Sequence, residues 1–258
     1  MNRRLASEGF LARVGELGGR SDLMWFVALN VGLAFTLVAA YVVPFSAEGK
    51  FWAYAGLFIR ASCYLWAGEA LRGRGGEVLD RLFRLGLVAG AFELLVDWGL
   101  IHWIERGRLV YLTGNDVVLL GSPVWMPLAW ACVIVELGYP AVRLFGWFAR
   151  RASIGAAALW ASLIAAALAG VTVGFYEYFA YRASWWKYEP ANAMIGEFCA
   201  LYIPLGEFLM FLPVLFIVAP ALEGERRSVA RLIVAGIQFA ICIAIGYALA
   251  WLLLEGRA

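Results

Sequence analysis

The sequence predicts an all-α polytopic membrane protein, a seven-transmembrane-helix bundle, from three observations. Of 258 residues, 64% are hydrophobic and 16% charged, with mean hydropathy +0.78, which is more apolar surface than one soluble core of this size hides. Continuous apolar runs of roughly the 20 residues that a helix needs to cross hydrocarbon recur along nearly the whole chain. A membrane barrel would alternate at every second residue instead.

In order, residues 1–22 carry Arg3, Arg4, Arg13 and Arg20, and are too charged and too long for a cleavable signal. Leu5, Phe10, Leu11, Val14 and Leu17 share a helical face there, so 1–22 reads as an N-terminal interfacial segment and 23–258 as a single transmembrane domain. The spans fall at 23–45, 51–71, 81–104, 123–148, 153–178, 196–220 and 229–254. Between them stand "FSAEGK", "RGRGGEVLD", "RGRLVYLTGNDVVLLGS", "ARRAS" and "EGERRS", where Gly and charge end each run. With the N-terminus inside, the inner side collects most of the arginines, among them Arg72, Arg74, Arg81, Arg84, Arg143, Arg150, Arg151, Arg226, Arg227 and Arg231. The outer side has only Lys50, Arg106, Arg108, Arg182, Lys187 and Arg257, which puts the C-terminus outside. The expected location is integral to a bacterial inner (cytoplasmic) membrane.

Charge inside hydrocarbon is costly and marks function. Counted along each helix at about 1.5 Å per residue, Glu93 lies about 18 Å, Glu136 about 20 Å and Glu207 about 17 Å deep, three carboxyls at one level near mid-membrane. Asp97 follows Glu93 by four residues and shares its face. Arg60 reaches a similar depth. Nearer the outer surface, Glu177 and Glu197 bracket "RASWWKYEPANAMI", a short aromatic interfacial segment at 182–195 with Trp185 and Trp186 at the headgroups. Pro204 and Pro213 are expected to loosen the sixth helix around Glu207. Trp98, Trp130, Tyr176 and Tyr202 stand within a turn or two of the acids.

Plainer roles compete with each assignment: an ion pair of Arg60 with Asp97 or Glu93 that fixes packing, a helix-to-helix hydrogen bond for Glu136, an aromatic belt for the tryptophans. Other chemistries lack their residues. His102 is the single histidine, so an imidazole-rich metal site is excluded, and no metal or cofactor is expected. The second and seventh spans have no lysine for a retinal Schiff base. Phosphate-loop, dinucleotide, nucleophile-elbow and HExxH motifs are missing. A net charge of +2 with no basic tract gives no nucleic-acid partner.

What remains is carboxyls among aromatics, 12 Trp, 11 Tyr and 17 Phe. A carboxyl in hydrocarbon stays protonated and can protonate a carbon–carbon double bond, while aromatic faces stabilise the cation formed. Loss of a proton to a second carboxylate, or capture of water, completes a cyclisation, isomerisation or hydration. Glu93, Asp97 and Glu207 are the candidate catalytic residues. Arg60, Trp98, Trp130, Glu136, Tyr176, Glu177, Trp185, Trp186, Glu197 and Tyr202 are the candidate substrate-binding ones.

The Glu and Asp of the third span, "LGSPVWMPLAW" at 120–130 and "PLGEF" at 204–208 resemble the small integral-membrane carotenoid-biosynthesis proteins, the carotenoid hydratases and seven-span lycopene cyclases. The resemblance implies an isoprenoid substrate; where those cyclases carry paired acids before Phe, this chain has Gly206 and Glu207. Two other classes use the same residues: a proton-coupled carrier or channel, and a non-catalytic subunit that binds pigment or lipid. The expected partners are the bilayer and a lipid or isoprenoid, with room for a homo-oligomer or a membrane-protein partner.

Overall fold

The computed structural model describes residues 20–42, 47–71, 76–112, 116–222 and 229–256. Within them the chain forms helices α1 (Arg20–Val42), α2 (Ala47–Ala70), α3 (Gly76–His102), α4 (Met126–Ala149), α5 (Ile154–Ala183), α6 (Tyr202–Phe211), α7 (Val214–Leu222) and α8 (Val229–Leu254). The interfacial segment expected at 1–22 lies outside the described residues except for 20–22, which begin α1.

Five of these helices are long and apolar enough to cross a membrane, and six if the bent pair α6–α7 is one span. The protein is thus mostly helical and polytopic. α2 is long enough at 24 residues but is diluted by Arg60, tyrosines, tryptophans and glycines and falls outside that count. Rows of Ile233, Val234, Ile241, Ile245, Leu249, Leu252 and Leu253 on α8 are exposed, as suits a surface in contact with lipid rather than water.

Helix packing closes a ring. α3 packs on α4, α4 on α5, α5 on α6, α6 on α8, and α8 returns to α3; α2 leans on the α3 side and α1 lies outside it. Small residues make the contacts close. On α5 the alanines 157, 158, 161, 165, 166 and 169 recur at helical spacing and are fully buried. On α3, a Cβ at Gly86 would lie 2.6 Å from the Ala131 backbone, and one at Gly90 2.8 Å from that of Pro127. α1 is loosely held, with 11% of its span buried against 39% to 67% for α3, α4, α5 and α8.

Several boundaries differ from those read in the sequence. The sixth span does not run as one helix from 196: Gly196 turns at φ +58°, Cys199–Ala200 is a strand, and α6 starts at Tyr202. Pro204 sits in the first turn of α6, where no intrahelical N–H is needed, so it interrupts nothing. Pro213 marks the break, and α6 and α7 meet at 48°. α5 continues through Ala183, so the aromatic connection begins only there.

The all-helical expectation is also incomplete at one end of the bundle. Three two-stranded antiparallel ribbons pair β1 (Leu109–Tyr111) with β4 (Trp186–Tyr188), β2 (Val118–Leu119) with β3 (Ser122–Pro123), and β5 (Met194–Ile195) with β6 (Cys199–Ala200). Tyr202 Oη donates to the Gly107 carbonyl at 2.9 Å, which ties this end to α6. Gly107 turns at φ +69° with the Tyr202 ring where a Cβ would stand, so only glycine fits.

Candidate functional site

Inside the ring, at its ribbon end, lies a cavity of about 150 Å³. Every helix of the ring sends a polar group to its wall: Glu93 and Asp97 from α3, Glu136 from α4, Tyr176 and Glu177 from α5, Glu207 from α6 and Tyr247 from α8. α2 adds Arg60, and Trp130, Trp185 and Trp186 supply aromatic faces. The structure thus gathers ten of the thirteen residues singled out in the sequence.

Three stay apart. Trp98 packs at a tilt against His102 and edge-on against Trp103, at ring distances of 5.4 and 4.8 Å, and does not line the cavity. Glu197 is exposed beside the Gly196 turn. Tyr202 is buried and spends its hydroxyl on Gly107. Because helix α6 begins six residues later than expected, Glu207 does not share the level of Glu93 and Glu136. Measured from the ribbon end of their helices, Asp97, Glu177 and Glu207 lie about 8 to 9 Å in, and Glu93 and Glu136 about 14 to 15 Å.

The groups are held in three sets. Asp97 accepts from Tyr111 Oη and, at 2.7 Å, from Ser122 Oγ; Glu93 lies against the Asp97 carboxyl and the Trp130 indole. Burial, with Asp97 beside it, pushes the Tyr111 phenol well above its ordinary range, so it remains a donor. Glu207 accepts from Tyr247 Oη at 2.6 Å. Glu177 accepts from Trp186 Nε1 at 2.6 Å and also meets Tyr188.

Arg60 pairs with Glu136, not with Asp97 or Glu93 as anticipated. Glu136 also accepts from Tyr176 Oη at 2.8 Å, while Pro140, one turn on, has no N–H to offer its carbonyl. Arg60, the one cation of the cavity wall among the described residues, is therefore neutralised, and the other acids face each other without it. Both Glu93 Oε2 and Glu207 Oε2 are buried with no hydrogen-bond partner among the described residues. Such atoms cost roughly 1–3 kcal/mol each when left unmet, and both belong to the same cavity wall.

Ribbon β1–β4 explains how a loop reaches two acids. Its register sets Tyr111 opposite Trp186 and Leu109 opposite Tyr188, and alternation turns all four toward the cavity, away from Val110 and Lys187. Trp125 joins them, with its ring 6.1 Å from Trp185 and 6.3 Å from Trp186. Below the acids, Leu79, Leu82, Phe83, Ile134, Phe211 and Phe239 fill the bundle and are fully buried. On its flank the cavity is walled by Leu33, Thr36 and Leu37 of the loosely packed α1 and by Leu57 of α2.

Sequence reasoning missed Tyr111, Ser122, Trp125, Tyr188 and Tyr247. Four of them lie in stretches read as punctuation, lid or the start of a span. Tyr247, inside the apolar run 229–254, carries no charge to single it out. Its position answers the question left by Gly206: a Cβ there would be 2.3 Å from the Tyr247 ring, and one at Gly246 2.8 Å from the Gly206 carbonyl. The space of a second acid is taken by the phenol that holds the first.

Fold and cavity define a helical membrane protein with an acid-lined internal chamber. The chain belongs to the family described as Domain of unknown function (DUF6989), which matches residues 94–254. No curated protein and no solved structure matches it.

Proposed function

We propose that this protein is an integral-membrane enzyme that protonates a double bond of an apolar isoprenoid or lipid, leading to cyclisation, isomerisation or hydration. The observation that carries the reading is the pair Glu93 and Glu207, from different helices, each with a buried, unpartnered carboxyl oxygen in one aromatic-lined cavity. One carboxyl gives its proton to carbon, and a cation forms on the neighbouring carbon. Either the other carboxylate removes an adjacent proton, or water adds there and passes its proton on. The face of Trp130, beside Glu93, stabilises the charge in between, while Trp185 and Trp186 line the way in. Asp97 is the group through which Glu93 exchanges its proton with Tyr111 and Ser122.

A cavity flanked by α1 residues suits entry from lipid, and the apolar packing beneath the acids speaks against a path through the molecule. A carrier would need polar groups continuing to both ends. We further propose that the helices make seven membrane passes, α6 and α7 forming one, with the N-terminus inside and the ribbon end outside, in a bacterial inner membrane. The Lys and Arg asymmetry supports this orientation. Mass spectrometry of lipid extracts from cells with and without the gene tests the class: a gained or lost isoprenoid is expected, whereas unchanged lipids with altered solute uptake would support the carrier.

A further inference from the structure

We infer that the cavity takes an isoprenoid bearing a hydroxyl group, a prenyl alcohol or a prenylated phenol, rather than a bare hydrocarbon or a prenyl diphosphate; this rests on the acid chemistry proposed above. Three buried atoms in the cavity wall have no hydrogen-bond partner among the described residues: Glu93 Oε2, Glu207 Oε2 and Trp185 Nε1. The first two belong to carboxyls and the third is an N–H that can only donate. A hydrocarbon leaves all three unmet. A hydroxyl is the smallest group that accepts from the indole and donates to a carboxylate at once.

Charge excludes the other common class of isoprenoid. A diphosphate would enter a wall of Glu93, Asp97, Glu136, Glu177 and Glu207, whose single cation, Arg60, is already tied to Glu136. Neither a second basic group nor a metal-binding cluster is present in that wall among the described residues. Size sets the binding mode. About 150 Å³ holds the hydroxyl end and a few carbons, so the rest of a long chain lies along Leu33, Leu37 and Leu57 toward α1 and the lipid.

The test uses the full-length protein in lipid nanodiscs and three radiolabelled probes of one chain length: geranylgeraniol, its analogue with hydrogen in place of the hydroxyl, and geranylgeranyl diphosphate. The alcohol should be retained about tenfold more tightly than the hydrocarbon, the size of one net hydrogen bond, and the diphosphate least. Trp185→Phe should lower the alcohol's advantage over the hydrocarbon severalfold, leaving only the part that the hydrogen bond to the carboxylate supplies. Equal retention of alcohol and hydrocarbon, tightest retention of the diphosphate, or a preference left undiminished by Trp185→Phe overturns the hydroxyl assignment while the acid chemistry stands. Saturable retention of none of the three overturns both. If Trp185→Phe does not fold, the three probes on the unaltered protein decide.

Discussion

A single carboxyl, that of Glu207, carries most of the proposed chemistry, and its environment divides its two oxygens. Oε1 is held by Tyr247, while Oε2 is buried and unmet. Glu207→Gln keeps size and hydrogen bonding but removes the transferable proton, so turnover should fall by about 10²- to 10⁴-fold, with thermal unfolding in detergent unchanged. Retained activity in that variant would make Glu207 packing glue. Tyr247→Phe removes the donor and should lower turnover less, since the proton stays. Gly206→Glu, the paired acid of the resembled cyclases, should lower the melting temperature instead, because its Cβ would overlap the Tyr247 ring. At this scale the sequence was a good guide to charge and a poor one to partners. Glu93 and Asp97 announce themselves by charge in an apolar run and by i, i+4 spacing. Tyrosine in the same setting looks like any interfacial aromatic, so Tyr247 stayed hidden until α6 and α8 were seen to touch.

Among the elements, ribbon β1–β4 links the outer connections to the buried acids. Trp186→Ala removes one stacked ring and the donor to Glu177 and should raise KM for substrate with little change in kcat. An equal loss in kcat would place Trp186 at the reacting atoms. Gly90 does a different job, letting α3 approach α4 where Trp130 enters the cavity. Gly90→Val should spread the two helices and destabilise the fold by about 1–3 kcal/mol, readable as a lower melting temperature. Hydrophobic runs and charged breaks made the helices legible to within a few residues. The ribbons were not legible: strands of two or three residues are too short for alternation to emerge, and in β1–β4 the pairing joins positions about 77 residues apart, as with Val110 and Lys187. For the same reason the start of α6, and with it the depth of Glu207, was misplaced.

For the whole molecule, the ring of helices puts the cavity acids at one end with apolar packing beneath them, and the buried Asp80 and Asp22 at the other are met by Arg84 and Arg143. Reporter fusions after Arg151 and after Glu189 should report opposite sides of the membrane; the same side for both would remove the seven-pass arrangement. The sequence indicated that several helices bring carboxyls to similar depth, but not that α3, α4, α5, α6 and α8 close around them, because ring order depends on contacts between spans far apart in the chain. The central claim is that a carboxyl in this chamber adds a proton to carbon, and heavy water reads that step directly. Membranes holding the protein, incubated in D₂O with lipid extract from cells lacking the gene, should yield a product with deuterium bound to carbon, and Glu207→Gln membranes should yield almost none. Product free of carbon-bound deuterium, or equal labelling by the Gln variant, would contradict the account.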